Sequence, residues 1–246
     1  MCFNSNDVIK SCLDSVQSQK NVDVEHIVID GGSTDGTLLF LQSRRHQITE
    51  LISEPDEGIY HAMNKGIKIA TGDIIGFLNS DDFYADNNVL SDVLSTFQKN
   101  ESLEACYADL LYVSKLNLKK NIRYWKSSKY IPGSFSRGWS PPHPTFFVRS
   151  LIYKKQGSFN LNYMIASDVE LMMRFLEINK INVEYVPKLW VIMRMGGTSN
   201  NKLANILLQN REILNALKSH GLKTNKINFF VNKIISRGLQ FLKKYK

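Results

Sequence analysis

Two aspartates stand side by side where an apolar run stops. Residues 74–78 (IIGFL) give way directly to Asn79, Ser80, Asp81 and Asp82. A second run rich in β-branched residues, 22–29, ends at Asp30. In open α/β sheets ligands bind outside the carboxyl ends of the strands. Carboxylates placed there can accept from a ribose hydroxyl or a base N–H. A pair beside a diphosphate can also hold Mg²⁺ or Mn²⁺, hard cations that take oxygen ligands and keep waters. The same Asp-Asp pair is a common turn and helix-capping sequence, and alone it decides nothing. Asp168 poses a similar choice. One positioned carboxylate can take the proton of an attacking hydroxyl, but Ser167-Asp168 followed by Glu170 is equally a helix start that favours acidic residues.

These residues need elements to hold them. Residues 7–18 predict an opening helix, with Val8, Ile9, Cys12, Leu13 and Val16 at helical spacing. A strand over 22–29, a loop over 31–37, a helix over 38–45 and a strand over 48–53 follow. A helix over 59–70 is stopped by Gly72, and a strand covers 73–78. Alternation of helices with continuous apolar strands predicts an α/β fold with a mainly parallel sheet flanked by helices. After Leu103 the pattern changes. Short antiparallel strands are expected over 104–113 and 121–125, then a loop over 131–144 rich in Gly, Pro, Ser and aromatics. A helix over 167–178, strands over 183–187 and 189–194, and two terminal helices complete the chain. The expected division is one domain over 1–217, in halves 1–109 and 110–217, followed by an amphipathic extension over 218–246.

The 246 residues are 43% hydrophobic and 22% charged, which argues against disorder. The net charge of +8 is unevenly spread. Residues 1–109 carry 18 acidic and 7 basic side chains, whereas 110–167 carry ten basic and no acidic ones. Residues 218–246 add eight basic groups and no acidic one. An acidic half suits metal or base chemistry; basic segments suit phosphates or anionic lipid, with plain solvated charge as the alternative. From Lys226 onward, Ile227, Phe230, Val231, Ile234, Ile235, Phe241 and Leu242 form one helical stripe, with Lys226, Lys233, Arg237 and Lys244 to one side. Such a helix suits an anionic membrane surface or a final helix packed on the domain. Three cysteines without metal-ligand spacing favour a reducing compartment. No apolar run approaches the roughly 18 residues of a membrane span. A P-loop, a GxGxxG turn and a nucleic-acid-binding motif are all missing, so ATP, NAD and nucleic acid are not indicated.

Three stretches in order, VEHIVIDGGSTDGT (24–37), EPDEGIYHAMNKGIKIATGD (54–73) and IIGFLNSDDFY (74–84), resemble the inverting family 2 glycosyltransferases of GT-A fold. PPHPTFFVR (141–149), ASDVELMMRF (166–175) and MGGTS (195–199) are similar to the acceptor half of bacterial surface-polysaccharide members that build colanic acid, O-antigen or capsule. The resemblance implies a nucleotide-sugar donor, most simply UDP-linked, and a glycan or polyprenyl-diphosphate-linked acceptor. It implies a cytoplasmic enzyme, peripheral at the inner face of the plasma membrane. It places Asp30 and Asp35 at the nucleotide, Asp56 on the nucleoside side, and Asn64 and Lys65 on a helix facing the donor. Asp81 and Asp82 stand at the DxD-type position for a divalent Mn²⁺ or Mg²⁺, with Asn79 where the family has its first aspartate. Asp168 matches the catalytic base. His143 and Trp139 are implied at the acceptor or diphosphate, as are Arg194 and the turn 196–199; for each, a packing role is the alternative. Two other readings stay open, a GT-A-like nucleotidyltransferase and an inactive membrane-associated protein that binds sugar nucleotides. Family members begin with an apolar strand before the segment resembling residues 2–6, and here Met1 stands where that strand ends. A longer chain carrying that strand is expected to be more soluble and more active.

Overall fold

The computed structural model describes residues 1–196, 203–242 and 245. Its first part follows the expected alternation: α1 (Ile9–Gln17), β1 (Ile27–Asp30), α2 (Thr37–Ser43), β2 (Glu50–Ser53), α3 (Ile59–Ile69) and β3 (Ile74–Ile75). β1 and β2 pair in parallel through the α2 crossover, the connection that parallel neighbours need. Met1 and Cys2 lie between this pair and the chain leaving β3. Cys2 N–H donates to the Ile29 carbonyl (2.9 Å), Gly31 N–H to the Cys2 carbonyl (2.9 Å), and Ser80 N–H to the Met1 carbonyl (3.2 Å).

The second part contains β4 (Asp82–Tyr84), α4 (Val89–Lys99), β5 (Ala105–Val113), β6 (Asn121–Trp125), β7 (Phe147–Arg149) and α5 (Ser150–Gln156). α6 (Ser167–Met173) follows and runs on as a π-helical turn, Arg174–Ile178. β8 (Val183–Arg194), α7 (Leu203–Ser219) and α8 (Lys226–Leu242) complete it. The strands form a six-stranded sheet in the order β3-β7-β5-β8-β4, with β6 also on β5. Here the expectation of a mainly parallel sheet needs correction, because the sheet is mixed. β5 and β8 are parallel, while β3–β7, β5–β7, β5–β6 and β4–β8 are antiparallel. A continuous apolar run marks a strand covered on both faces, whatever the direction of its neighbours. β5 is such a strand, buried at all nine positions. The two strands expected over 183–194 are one, with its register against β5 shifting around Asp109, opposite the Pro187 region; a proline interrupts a ladder in this way.

Side chains of β5 divide the core into two layers. Ala105 and Tyr107 join Met63 of α3, Ile152 of α5, Met172 of α6 and Leu217 of α7. Cys106, Ala108 and Leu110 join Val89, Val93 and Phe97 of α4 and Trp190 of β8. Helices therefore cover both faces, as an α/β fold requires. The α4 helix is absent from the expected elements, although Val89, Val93 and Phe97 stand at fourfold spacing.

The C-terminal helix is built into this core. Phe229 of α8 is fully buried in the same cluster as α6 and α7. Gly138 makes the approach possible: its φ is +83°, and a Cβ there would stand 2.7 Å from the Phe229 carbonyl oxygen. The outward stripe, by contrast, is open, with Ile234 71% and Leu242 78% exposed. Replacing Phe229 with Ala should cost about 3–5 kcal/mol of unfolding free energy in a denaturant titration. Ile234→Ser should change it by less than about 0.5 kcal/mol. Equal effects would mean that α8 is not docked as described.

Candidate active site

A cleft of about 910 Å³ opens where β1 and β3 end and is closed on its far side by α8. Of the residues singled out in the sequence, Asp56, Asp81, Trp139, His143, Asp168 and Arg194 line it. Asp30, Asp35, Asn64 and Asp82 do not reach its surface, and their contacts explain why.

Asp30 is fully buried. Its carboxylate accepts from Ser33 N–H (3.0 Å), the Ser33 hydroxyl, the Ser53 hydroxyl (2.6 Å) and the Cys2 thiol (3.6 Å). Burial opposes its ionisation, but these donors outweigh it and hold the carboxyl below the usual range. Asp35 accepts from Thr37 N–H (3.0 Å), the Thr37 hydroxyl (2.5 Å) and Asn6 N–H (3.0 Å), which ties the start of α2 to residues 4–6. Asp30 and Asp35 thus fix the backbone from Gly31 to Thr37, and Gly31 itself lines the cleft. Asn64 clamps the backbone of Phe159 in both directions, at 2.9 Å each. Lys65 Nζ lies 2.6 Å from Asp56 and 2.8 Å from Glu54. It holds Asp56 at the cleft wall and is occupied in doing so.

Where the chain after β3 enters β4, Asp81 faces the cleft while Asp82 turns inward. Asn79 Nδ2 donates to Asp82 Oδ2 (3.2 Å), and Asp82 Oδ1 and Asn79 Oδ1 are buried without hydrogen-bond partners. Burial, and then the neighbouring Asp81 charge, raise the Asp82 carboxyl well above its ordinary value. Arg194 spans this turn from β8. Its Nη1 donates to the Asp81 carbonyl (2.5 Å), its Nη2 donates to the Ser11 hydroxyl (2.9 Å), and its guanidinium stacks over Phe83. Gly197, Thr198 and Ser199 of the expected turn lie outside the described residues, as does Lys244.

Across the cleft, Asp168 Oδ1 accepts from Val169 N–H (2.9 Å) and lies 3.0 Å from the Tyr60 hydroxyl, which also reaches the Ile165 carbonyl (2.8 Å). Asp168 Oδ2 has no hydrogen-bond partner among the described residues. The segment before it is gripped by Glu212 of α7, whose buried carboxylate accepts from the N–H groups of Met164, Ile165 and Ala166, each at 2.9 Å. Sequence reading missed Tyr60 and Glu212. Tyr60 belongs to a helix read for its polar residues, and Glu212 acts from 44 positions beyond Asp168. His143 stacks on Phe77 and meets Phe159 edge-on, and its buried Nε2 has no partner. Trp139 donates from Nε1 to the Ser128 hydroxyl (3.1 Å) and packs against Tyr107 and Phe135. It lines the cleft as one side of an aromatic cluster.

The α8 helix is the largest departure from expectation. Lys233 and Arg237, expected to meet an anionic surface, line the cleft together with Ser236 and Gln240. Positions 233, 236, 237 and 240 share one helical face, and docking of Phe229 turns that face inward. Arg123 of β6 and Tyr112 of β5 also line the cleft; neither was singled out in the sequence.

Burial lowers the His143 imidazole pKa below its ordinary value of 6.5, with the Asp168 charge opposing. The unfolded chain therefore takes up this proton first as pH falls. The stability contribution of a neutral His143 is full above about pH 6.5 and is lost below it. His143→Phe should flatten the decline in unfolding free energy between about pH 7 and 5, measured in urea, by removing that protonation. Parallel curves for the two proteins would show that His143 titrates normally.

The description "Glycosyl transferase family 2" matches residues 1–156. The PGL/p-HBAD biosynthesis glycosyltransferase of Mycobacterium tuberculosis is 29% identical over 170 residues, 68% of this chain and 64% of the relative. The chain thus spans somewhat under two thirds of that relative's length. Among solved structures, S. aureus TarS 1–349 in complex with UDP-GlcNAc superposes with a TM-score of 0.64 at 16% identity, covering 95% of this chain and 77% of that one. The mannosyltransferase PcManGT of Pyrobaculum calidifontis, in complex with GDP-Man and Mn²⁺, gives 0.65 at 16% identity, covering 98% and 67%. The α/β architecture of these enzymes is the GT-A fold. With the family description matching more than half of its length on that fold, the chain belongs to glycosyl transferase family 2.

Proposed function

We propose that the protein is an inverting glycosyltransferase that moves a sugar from a nucleotide diphosphate donor, UDP-linked, to a glycan or polyprenyl-diphosphate-linked acceptor in surface-polysaccharide biosynthesis. One observation carries this reading: Asp81 and Asp168 open onto the same cleft, and Asp168 keeps one carboxylate oxygen without a partner among the described residues. The ligands named for TarS and PcManGT, UDP-GlcNAc and GDP-Man with Mn²⁺, support the donor class.

In this reading Asp56 and the backbone at Gly31 hold the nucleoside side, with Asp30 and Asp35 fixing that backbone. The acceptor hydroxyl attacks the anomeric carbon as the bond from that carbon to the diphosphate oxygen breaks. Asp168 takes the hydroxyl proton, and the nucleoside diphosphate leaves with the bonding electron pair. Attack on the face opposite the leaving group inverts the anomeric centre. Tyr60 and the Val169 N–H orient the Asp168 carboxylate through Oδ1 and leave Oδ2 for the proton.

Asp81, Asp82 and Asn79 would hold a divalent cation. The unpartnered buried oxygens of Asp82 and Asn79 fit a hard metal ion. Among the described residues no group of three or more His, Cys, Asp or Glu surrounds such a position. Donor phosphates and water would therefore complete the shell. When bound, Mn²⁺ or Mg²⁺ supplies positive charge for the departing diphosphate.

The exposed apolar stripe of α8 supports a peripheral place at the inner face of the plasma membrane. No helix among the described residues is long and apolar enough to cross a membrane.

Asp168→Asn should lower sugar transfer by about 10²–10⁴-fold while calorimetry shows unchanged UDP affinity. Asp81→Asn should weaken UDP binding in Mn²⁺ more than in EDTA. Normal turnover in both variants would overturn the assignment. Replacing Ile234 and Leu242 by Ser should abolish co-sedimentation with phosphatidylglycerol vesicles without changing the thermal midpoint; retained sedimentation would remove the stripe from membrane binding.

A further inference from the structure

Arg123 occupies an unusual position for a charged side chain. It is 5% exposed, forms no ion pair among the described residues, and its Nε has no hydrogen-bond partner. Its guanidinium carbon lies 3.9 Å from the Tyr112 ring centroid, 5.7 Å from that of Trp125 and 5.8 Å from that of Phe241. Aromatic faces attract a cation, but they do not supply the counter-charge that a buried guanidinium normally requires.

More positive charge gathers beside it. Lys233 and Arg237, one turn apart on α8, line the same cleft as Arg123. Lys233 Nζ donates to Asn210 Oδ1 (2.6 Å) and sits over the Phe229 ring, and it too makes no ion pair among the described residues. Burial, then the Arg237 charge, bring the Lys233 ammonium down to about 8, with Asp168 opposing. The Arg237 charge also disfavours ionisation of Arg123. Arg237 thus raises the positive potential at both Lys233 and Arg123, and the Asp168 carboxylate offsets part of it at Lys233.

Sheet register locates this end. Asp82 pairs with Met193, Met193 with Tyr112, and Tyr112 with Arg123. Three strand spacings, roughly 14 Å between backbones, therefore separate Arg123 from the Asp81–Asp82 turn. Lys233 and Arg237 reach the cleft from α8 and Arg123 from β6, three strands away from the turn assigned to the donor.

We propose that Arg123, Lys233 and Arg237 form a second anion subsite that takes a phosphate group of the acceptor, separately from the donor diphosphate at Asp81. This rests on the reading of the cleft as a sugar-transfer site and adds the residues that recognise the acceptor. An arginine fork and an ammonium suit phosphate oxygens. The outward apolar stripe of the same helix gives a phosphate-bearing lipid a surface for its chain while its headgroup enters the cleft.

The test uses the full chain saturated with UDP and Mg²⁺, titrated with farnesyl phosphate or with inorganic phosphate. Farnesyl phosphate should bind with UDP in place, and inorganic phosphate should compete at higher concentration. Arg123→Gln and, separately, Arg237→Gln should each weaken farnesyl phosphate by at least about tenfold and leave UDP affinity unchanged. Arg123→Lys should recover part of the loss. Because Arg123 is buried, thermal unfolding of each variant is recorded, and Arg237→Gln on α8 decides the matter if Arg123→Gln fails to fold. Three results would overturn the proposal: no farnesyl phosphate binding to the wild type, binding that inorganic phosphate does not displace, or variants that lose UDP instead. A wild-type protein that binds both ligands as expected but transfers no sugar would strike at the catalytic reading and leave the subsite standing.

Discussion

Taking a charge out of water costs several kcal/mol unless donors or an opposite charge answer it. The chain meets this constraint in two contrasting ways. Asp30 is answered by Ser33, Ser53 and Cys2; Glu212 by three backbone N–H groups; Asp109 by Tyr124, Tyr185 and the Ser127 N–H. These saturated carboxylates join segments distant in sequence and have no capacity left for a ligand. Asp82 Oδ1, Asn79 Oδ1, His143 Nε2 and Arg123 Nε are buried and unanswered, and each belongs to the cleft wall or the turn beside it. Among the carboxylates, saturation separates Asp30, Asp109 and Glu212, which hold the scaffold, from Asp82, which keeps an unanswered oxygen beside the cleft.

That distinction also marks how far the sequence could be read. The strand end at Asp30 was legible because an apolar run stops abruptly there, and so was the alternation of elements before residue 80; the strand expected over 73–78 is only Ile74–Ile75, and Asp81 stands in the turn before β4. Which aspartate faces the ligand was not legible. Asp81 and Asp82 are neighbours, and only the pairing of Asp82 with Met193 on β8 turns one inward and leaves the other in the cleft. Strand direction was hidden too, since β5 is apolar throughout although its neighbours run both ways. The roles of Tyr60, Glu212 and Arg194 depend on contacts spanning 108, 46–48 and 113 positions, and no local pattern encodes them.

The tail shows why amphipathicity alone is ambiguous. Its stripe and its basic side were visible in the sequence, but which of them meets the protein depends on one buried ring, Phe229, and on a glycine that lets the helix approach. With Phe229 docked, the basic side belongs to the cleft and the apolar side faces away. The +8 surplus of the last 29 residues is therefore divided, and part of it has become the lining of the cleft.

The stretch that carries the family pattern stops at residue 156. Asp168, Glu212 and the whole of α8 lie beyond it. The cleft is thus assembled from two stretches with separate demands. In the proposed reading the first accommodates the nucleotide, whose chemistry is fixed, and the second presents the base and a wall of suitable shape and charge. On that reading, substitutions confined to the second stretch redirect transfer to a different recipient while the handling of the activated sugar is left as it was.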